Sequence, residues 1–173
     1  MAPRLLRQTA QLPVRADGTA RYAVVADTHS APHPGTAEVL RRLAPDAIVH
    51  AGDIGDLGVL EDLAAVAPVF AIRGNIDTET WAQRLPAADI VEVGKLSFYV
   101  LHNIADLDLD LPTAGFAAVV YGHSHQPSLK RNDGVLYLNP GSAGPRRFRL
   151  PVTLARVAVA GTELTPEIVE LRV

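Results

Sequence analysis

What most constrains the fold of this chain is the placement of its polar, metal-capable side chains, each of which follows directly on an apolar run. Asp27 and His29 come after the run 22–26 (Tyr-Ala-Val-Val-Ala), Asp53 after 47–51 and Asn75 after 68–72. His102 follows Tyr99-Val100-Leu101, and His123 and His125 follow Val119-Val120-Tyr121. Short apolar runs without alternation are the pattern of strands buried on both faces. In open α/β sheets, ligands bind beyond the carboxyl ends of the strands. Five strand ends therefore deliver seven chemically active side chains to one edge.

The segments between these runs give the order of elements. Gly35-Thr36 leads into a helical stretch with Ala37, Val39, Leu40 and Leu43 on one side and arginines on the other. Residues 59–66 read as a second helix. Strand, helix, strand, helix, strand is the signature of right-handed βαβ units and a parallel sheet. The second half is richer in strands: 90–93 and 96–101 form a hairpin around Gly94-Lys95, and 116–121, 135–138, 152–159 and 163–171 are further strands. The pattern implies two sheets packed face to face with helices outside. Residues 1–21, with Arg4, Arg7, Arg15 and Arg21 among small and polar residues, read as an extension. It is a loose arm with at most one short strand, and a candidate surface for homo-oligomer contacts. Residues 22–173 form one domain, as the total of 173 residues allows.

Composition removes several function classes. Cysteine is absent, which excludes disulfide scaffolds, thiolate zinc sites, iron–sulfur clusters and cysteine nucleophiles. A formal net charge of -3 argues against strong nucleic-acid binding, which needs a basic surface. With 48% hydrophobic residues the chain is not a disordered one. No apolar run reaches the roughly 18–20 residues that span a bilayer, and no signal-peptide core is visible near the start. The expectation is a soluble, cytoplasmic α/β protein with no membrane partner.

The seven strand-end residues are two carboxylates, four imidazoles and one amide, with no sulfur. A mixed nitrogen and oxygen set suits Mn, Fe, Co, Ni or Zn rather than Ca or Mg, which prefer oxygen alone. Seven ligands exceed the need of one ion and suit two ions sharing a bridging carboxylate, an arrangement that activates water for phosphoryl displacement. Gly52, Gly74, Gly122 and Gly141 flank these residues, where the chain must turn sharply and approach the ions closely.

Asp27-Thr28-His29, Gly52-Asp53, Gly74-Asn75, His102 and Gly122-His123-Ser124-His125 together resemble the ordered motifs of the calcineurin-like metallophosphoesterases. Asn139-Pro140-Gly141-Ser142 resembles the marker of their small YfcE-type branch, which includes the retromer subunit of the same fold. The resemblance covers about 22–159. It implies a four-layer αββα sandwich of two mixed β-sheets flanked by helices, and hydrolysis of phosphate esters, with small phosphodiesters as substrates. It also implies that Asp27, His29 and His125 hold one divalent ion, that Asn75, His102 and His123 hold a second, and that Asp53 bridges them. Manganese is the expected metal, with Ni, Fe, Co or Zn as alternatives. A bridging hydroxide then attacks phosphorus in line, with Asp53, Asn75 and His102 as the catalytic set.

Two positions depart from the family pattern. Many members carry a histidine directly after the Gly-Asn pair, able to protonate the leaving group, where this chain has Ile76. The small branch usually shows His-Gly-His where this chain reads His102-Asn103-Ile104. Neither change removes an expected ligand, but both weaken acid catalysis and favour activated leaving groups. They also sustain the competing reading, a protein-interaction scaffold with a retained metal site. A nuclease is disfavoured by the acidic balance.

Other polar residues carry lesser expectations. His50 reads as a hydrogen-bonded core histidine behind the ligands, and His33 as part of a solvated loop. Asp77 either orients a ligand imidazole or caps a helix running through Trp81. Asp106, Asp108 and Asp110 read as a solvated face. Arg146 and Arg147, with Arg149, either bind a non-bridging phosphate oxygen or form an exposed cationic cluster.

Overall fold

The computed structural model describes residues 10–172. The first half runs β1 (Ala10–Gln11), β2 (Thr19–Val25), α1 (Thr36–Leu43), β3 (Ala47–His50), α2 (Leu57–Ala64) and β4 (Val69–Ala71). The second half contains β5 (Ala88–Val93), β6 (Leu96–Leu101), α3 (Leu111–Ala114), β7 (Ala118–Val120), β8 (Ser128–Asn132), β9 (Val135–Asn139), β10 (Thr153–Ala160) and β11 (Glu163–Glu170). Short 3-10 turns lie at Ala82–Arg84 and Ile104–Asp106.

The strands form two mixed sheets, ordered β1-β5-β6-β7-β9-β8 and β11-β10-β2-β3-β4. The side-chain alternation of β2 shows how they pack. Tyr22 and Val24 enter a core shared with Val91, Phe98, Val100 and Leu138 of the other sheet. Ala23 and Val25 enter a second core with Val39 and Leu40 of α1 and Val59 and Leu63 of α2. Helices of eight residues are too short to persist alone, so this docking holds them. The outer face of the six-stranded sheet is covered by Leu111 of α3 and the loop before it. The expected αββα sandwich is present, with one outer layer reduced to little more than a helical turn. Among the described residues no helix is long and apolar enough to cross a membrane.

Within each sheet, parallel pairing aligns the carboxyl ends that matter. β2, β3 and β4 run parallel in one sheet, and β6, β7 and β9 in the other. Backbone bonds continue past the strand ends, from Asp27 N to Gly52 O (3.0 Å) and from Gly122 N to His102 O (2.9 Å).

Two expectations are corrected. The arm carries the short strand allowed for it, but it is not loose over its described part. β1 pairs parallel with β5, Leu12 is buried, Tyr22 Oη donates to Pro13 O (2.7 Å), and β2 starts at Thr19 rather than Tyr22. Burial of Leu12 in the inter-sheet core outweighs the lack of local pattern; residues 1–9 lie outside the described residues. Residues 78–81 also do not form the helix that was one of the two alternatives for Asp77, since only the 3-10 turn Ala82–Arg84 follows.

Candidate metal centre

The loops that leave the parallel strands hold their polar residues in an unusual backbone conformation. Nine non-glycine residues have positive φ among those described, and five of them are Asp27, His29, Asp53, His123 and His125. Such conformations are uncommon outside glycine and concentrate where a site is held against local preference. Close approach of the loops leaves no room for side chains between them. A Cβ on Gly52, itself at φ +92, would lie 2.8 Å from both Gly74 N and His102 Nδ1.

Each carboxylate is anchored through one oxygen and presents the other. Asp27 Oδ2 accepts from His123 N (3.1 Å), and Asp53 Oδ1 accepts from Ile76 N (3.1 Å). Asp53 Oδ2 then lies 3.5 Å from His29 Nε2 and 3.3 Å from His102 Nε2. Asp27 Oδ1 lies 3.6 Å from His125 Nε2 and 3.8 Å from His102 Nε2. His29 Nε2 and His125 Nε2 are 3.3 Å apart. The His102 ring donates Nδ1–H to Ala51 O (2.8 Å), which turns Nε2 toward the carboxylates. Anchoring through the far nitrogen is how proteins fix metal-binding imidazoles.

Asn75 and His123 complete the cluster on its exposed side. Asn75 Oδ1 lies 3.2 Å from His123 Nδ1, and the His123 ring packs edge-on to His102 at 5.2 Å. All seven expected residues are thus drawn together around the carboxyl ends of the sheets. Two groups, Asp27-His29-His125 and Asp27-Asp53-His102, each offer ligand atoms lying within 4.8 Å of one another.

The donor set fits a cation. Asp27 Oδ1 and His102 Nε2 are buried without hydrogen-bond partners, since the 3.3 Å approach of His102 to Asp53 is misaligned for a hydrogen bond. Buried orphans of this kind cost free energy unless something satisfies them. Burial pushes the Asp27 carboxyl up to about 7, against the charge of His102, so a cation is what would keep it ionised near neutral pH. Burial also works against Asp53, but His102, the Ile76 N–H and His29 together hold its carboxyl below the usual range. His29 is lowered by burial, and His125 is pushed down to about 4 by burial and by the charges of Arg147 and His29. Both imidazoles therefore keep a lone pair free for a metal. His102 is raised, because Asp53, Ala51 O and Asp27 outweigh its burial.

A polar scaffold behind the cluster explains further motif residues. Fully buried His50 accepts from Gly52 N at Nδ1 (3.1 Å), which leaves its proton on Nε2 to donate to Thr28 Oγ1 (3.0 Å). Thr28 Oγ1 donates onward to Ile54 O (2.9 Å), so the Asp27-His29 and Asp53 loops are fastened together. Asn139 Nδ2 donates to Gly122 O (3.1 Å) and Ser124 Oγ (3.0 Å), and Ser142 Oγ donates to Asp27 O (2.9 Å). The Asn139-Pro140-Gly141-Ser142 segment thereby holds the histidine loop against the Asp27 loop.

Asp77 plays neither role expected of it. Its carboxylate accepts from Ile54 N with both oxygens (3.0 and 3.1 Å), from Gly55 N (2.9 Å) and from Gly74 N (2.8 Å). It clamps the loop carrying Asp53 to the loop carrying Asn75. The signal available in the sequence was a carboxylate two residues beyond Asn75, beside glycines whose N–H groups lack side-chain competitors. The arginines divide: the charge of Arg147 acts on Asp27, His29 and His125, whereas Arg146 and Arg149 line a neighbouring groove.

A family model, the calcineurin-like phosphoesterase superfamily domain, matches residues 21–162. The chain belongs to this superfamily. A probable metallophosphoesterase of Methanothermobacter thermautotrophicus is 27% identical over 162 residues, 84% of this chain and 90% of that protein. A phosphodiesterase of Methanocaldococcus jannaschii is 26% identical over 137 residues, 70% of this chain and 82% of that protein. Among solved structures, the fold is shared with Vps29 of Chaetomium thermophilum (TM-score 0.76, 20% identity, 88% of this chain and 89% of that one). It is also shared with the E. coli phosphoesterase YfcE (TM-score 0.64, 20% identity, 88% of this chain and 100% of that one). As a member of the superfamily the chain is a phosphoesterase, and its cluster supplies candidate metal ligands.

Proposed function

We propose that the protein is a metal-dependent phosphodiesterase acting on small diesters, with two divalent ions, manganese foremost. Asp27, His29 and His125 would hold one ion and Asn75, His102 and His123 the other. The observation that carries this reading is the position of Asp53 Oδ2, within 3.5 Å of an imidazole nitrogen of each set, as a bridging ligand requires. Divalent ions held there would supply Lewis acidity toward a water and a phosphate oxygen.

The chain's own residues do the rest. Asn75, exposed at the mouth, presents an amide N–H to a phosphoryl oxygen, and the Arg147 guanidinium adds positive charge where the equatorial oxygens gain negative charge. Ile76, 40% exposed, stands where a proton donor would serve the leaving group and can donate nothing. General acid catalysis is worth about 10²–10⁴ in rate, so diesters with good leaving groups are the preferred substrates. A phosphodiesterase among the relatives supports the choice of diester.

The test is hydrolysis of bis(p-nitrophenyl) phosphate by manganese-supplemented protein, with Asp53→Ala and chelated protein as controls. Wild type is expected to turn over, Asp53→Ala to lose at least about 10³-fold in kcat, and chelation to abolish activity until manganese is restored. Unchanged hydrolysis by Asp53→Ala overturns the proposal. A scaffold role is favoured by the inert Ile76 and by the missing second histidine after His102, and no turnover of any diester or monoester by metal-loaded wild type would favour it over hydrolysis.

A further inference from the structure

A groove of about 710 Å³ opens beside the cluster, lined by His33, Arg146, Arg149 and Arg172. Its wall is shared with the metal centre. Gly144 stands in that wall and packs so closely on the Asp27-Thr28 backbone that a Cβ there would lie 2.7 Å from Thr28 O.

The groove gathers cations that pair with no carboxylate among the described residues. Among the described residues, Arg15 and Arg156 pair with Asp46 and Glu167, and Arg73 and Arg131 donate to backbone carbonyls. Arg146, Arg149 and Arg172 make no such bond among those residues, and Glu170 is the one carboxylate lining the groove. Arg21, Arg41, Arg42 and Arg84 likewise make no side-chain bond among those residues, and what sets this groove apart is that three such guanidinia line one cavity. His33 adds a donor. Its Nδ1 accepts from Gly35 N (3.0 Å), which leaves the ring proton on Nε2. Pro32, Pro34, Pro145 and Pro151 complete the walls. Proline fixes its own φ, so the groove keeps its shape without a ligand and little ordering is required on binding.

One short loop serves both places. Arg147 projects its charge onto Asp27, His29 and His125, while Arg146 and Arg149 on either side line the groove. Guanidinium groups pair with phosphate oxygens through two parallel hydrogen bonds. We propose that the groove is a second anion subsite, so that the substrate is a phosphodiester carrying a further phosphate on its non-reacting side. This rests on the phosphodiesterase reading and names the substrate class of that site.

The experiment compares kcat/KM of the manganese-loaded full chain for the 5′-phosphorylated dinucleotide pApA and for unphosphorylated ApA. Charge-assisted hydrogen bonds to the extra phosphate should favour pApA by about 10- to 100-fold. Arg149→Ala combined with Arg172→Ala should cut that preference below about 3-fold while leaving bis(p-nitrophenyl) phosphate hydrolysis unchanged. Equal kcat/KM for the two dinucleotides in wild type overturns the subsite, as does a double variant that keeps the preference. Should wild type cleave no diester, the phosphodiesterase reading fails separately, and calorimetric titration of adenosine 3′,5′-bisphosphate into chelated protein decides the subsite. Binding at least about tenfold tighter to wild type than to the double variant supports the groove, and equal binding refutes it.

Discussion

Replacing Asp77 with alanine should unfasten the site without touching any expected metal ligand. The substitution strands three backbone donors, Ile54 N, Gly55 N and Gly74 N, which now share one carboxylate. Ile54 is fully buried and cannot recover its bond from water, whereas Gly55 and Gly74 are half-buried and partly can. Hydrogen bonds to a charged acceptor contribute about 1.5–3 kcal/mol each. Counting Ile54 in full and the two glycines at a discount gives a loss of about 4 kcal/mol. For a domain of this size that corresponds to a Tm drop of roughly 8–16 °C. Urea unfolding in the presence of chelator reads the effect without any contribution from bound metal. Asp77→Asn keeps one acceptor oxygen and should lose about half as much. Asp77→Ala within about 1 kcal/mol of wild type would refute the clamp, because uncompensated buried donors cannot be that cheap.

His50 gives a pH signature. Burial depresses its pKa from 6.5 to about 4, with opposing and reinforcing charges from Asp77, His102, Asp53 and His29. The unfolded chain therefore binds more protons between those values, so this stabilisation is complete above pH 6.5 and is lost as pH falls toward 4. In chelated protein, wild type should lose about 3 kcal/mol more than His50→Gln over that interval, and parallel curves would contradict the buried neutral imidazole. Ile76→His should raise kcat on a methyl-leaving-group diester by about 10²-fold and leave the p-nitrophenyl diester nearly unchanged. Equal effects on both substrates would show that the leaving group at this site needs no acid.

The parts of the fold written in local pattern were legible. Apolar runs ending in Asp, Asn or His marked β2, β3, β4, β6 and β7, because strands packed on both faces carry few polar residues before they emerge, buried His50 of β3 being one. β8 escaped notice because Ser128–Asn132 is largely exposed and polar, although the Asp133-Gly134 pair that follows is a strong two-residue hairpin signal. β1 is two residues long and draws its stability from β5 and from Leu12 in the inter-sheet core, which no local window contains. The candidate ligands followed from side-chain chemistry at the strand ends, but their conformation did not. Left-handed backbone is ordinarily read from glycine, and here it falls on Asp27, His29, Asp53, His123 and His125 themselves. The Asp77 clamp was hidden for a related reason, since its partners are backbone N–H groups that every residue type but proline carries.

Anomalous diffraction from crystals grown with manganese measures the metal centre itself. Two peaks are expected, one among Asp27, His29 and His125 and one among Asn75, His102 and His123, with Asp53 Oδ2 reaching both. A single peak, or none among these side chains at saturating manganese, would contradict a dinuclear centre.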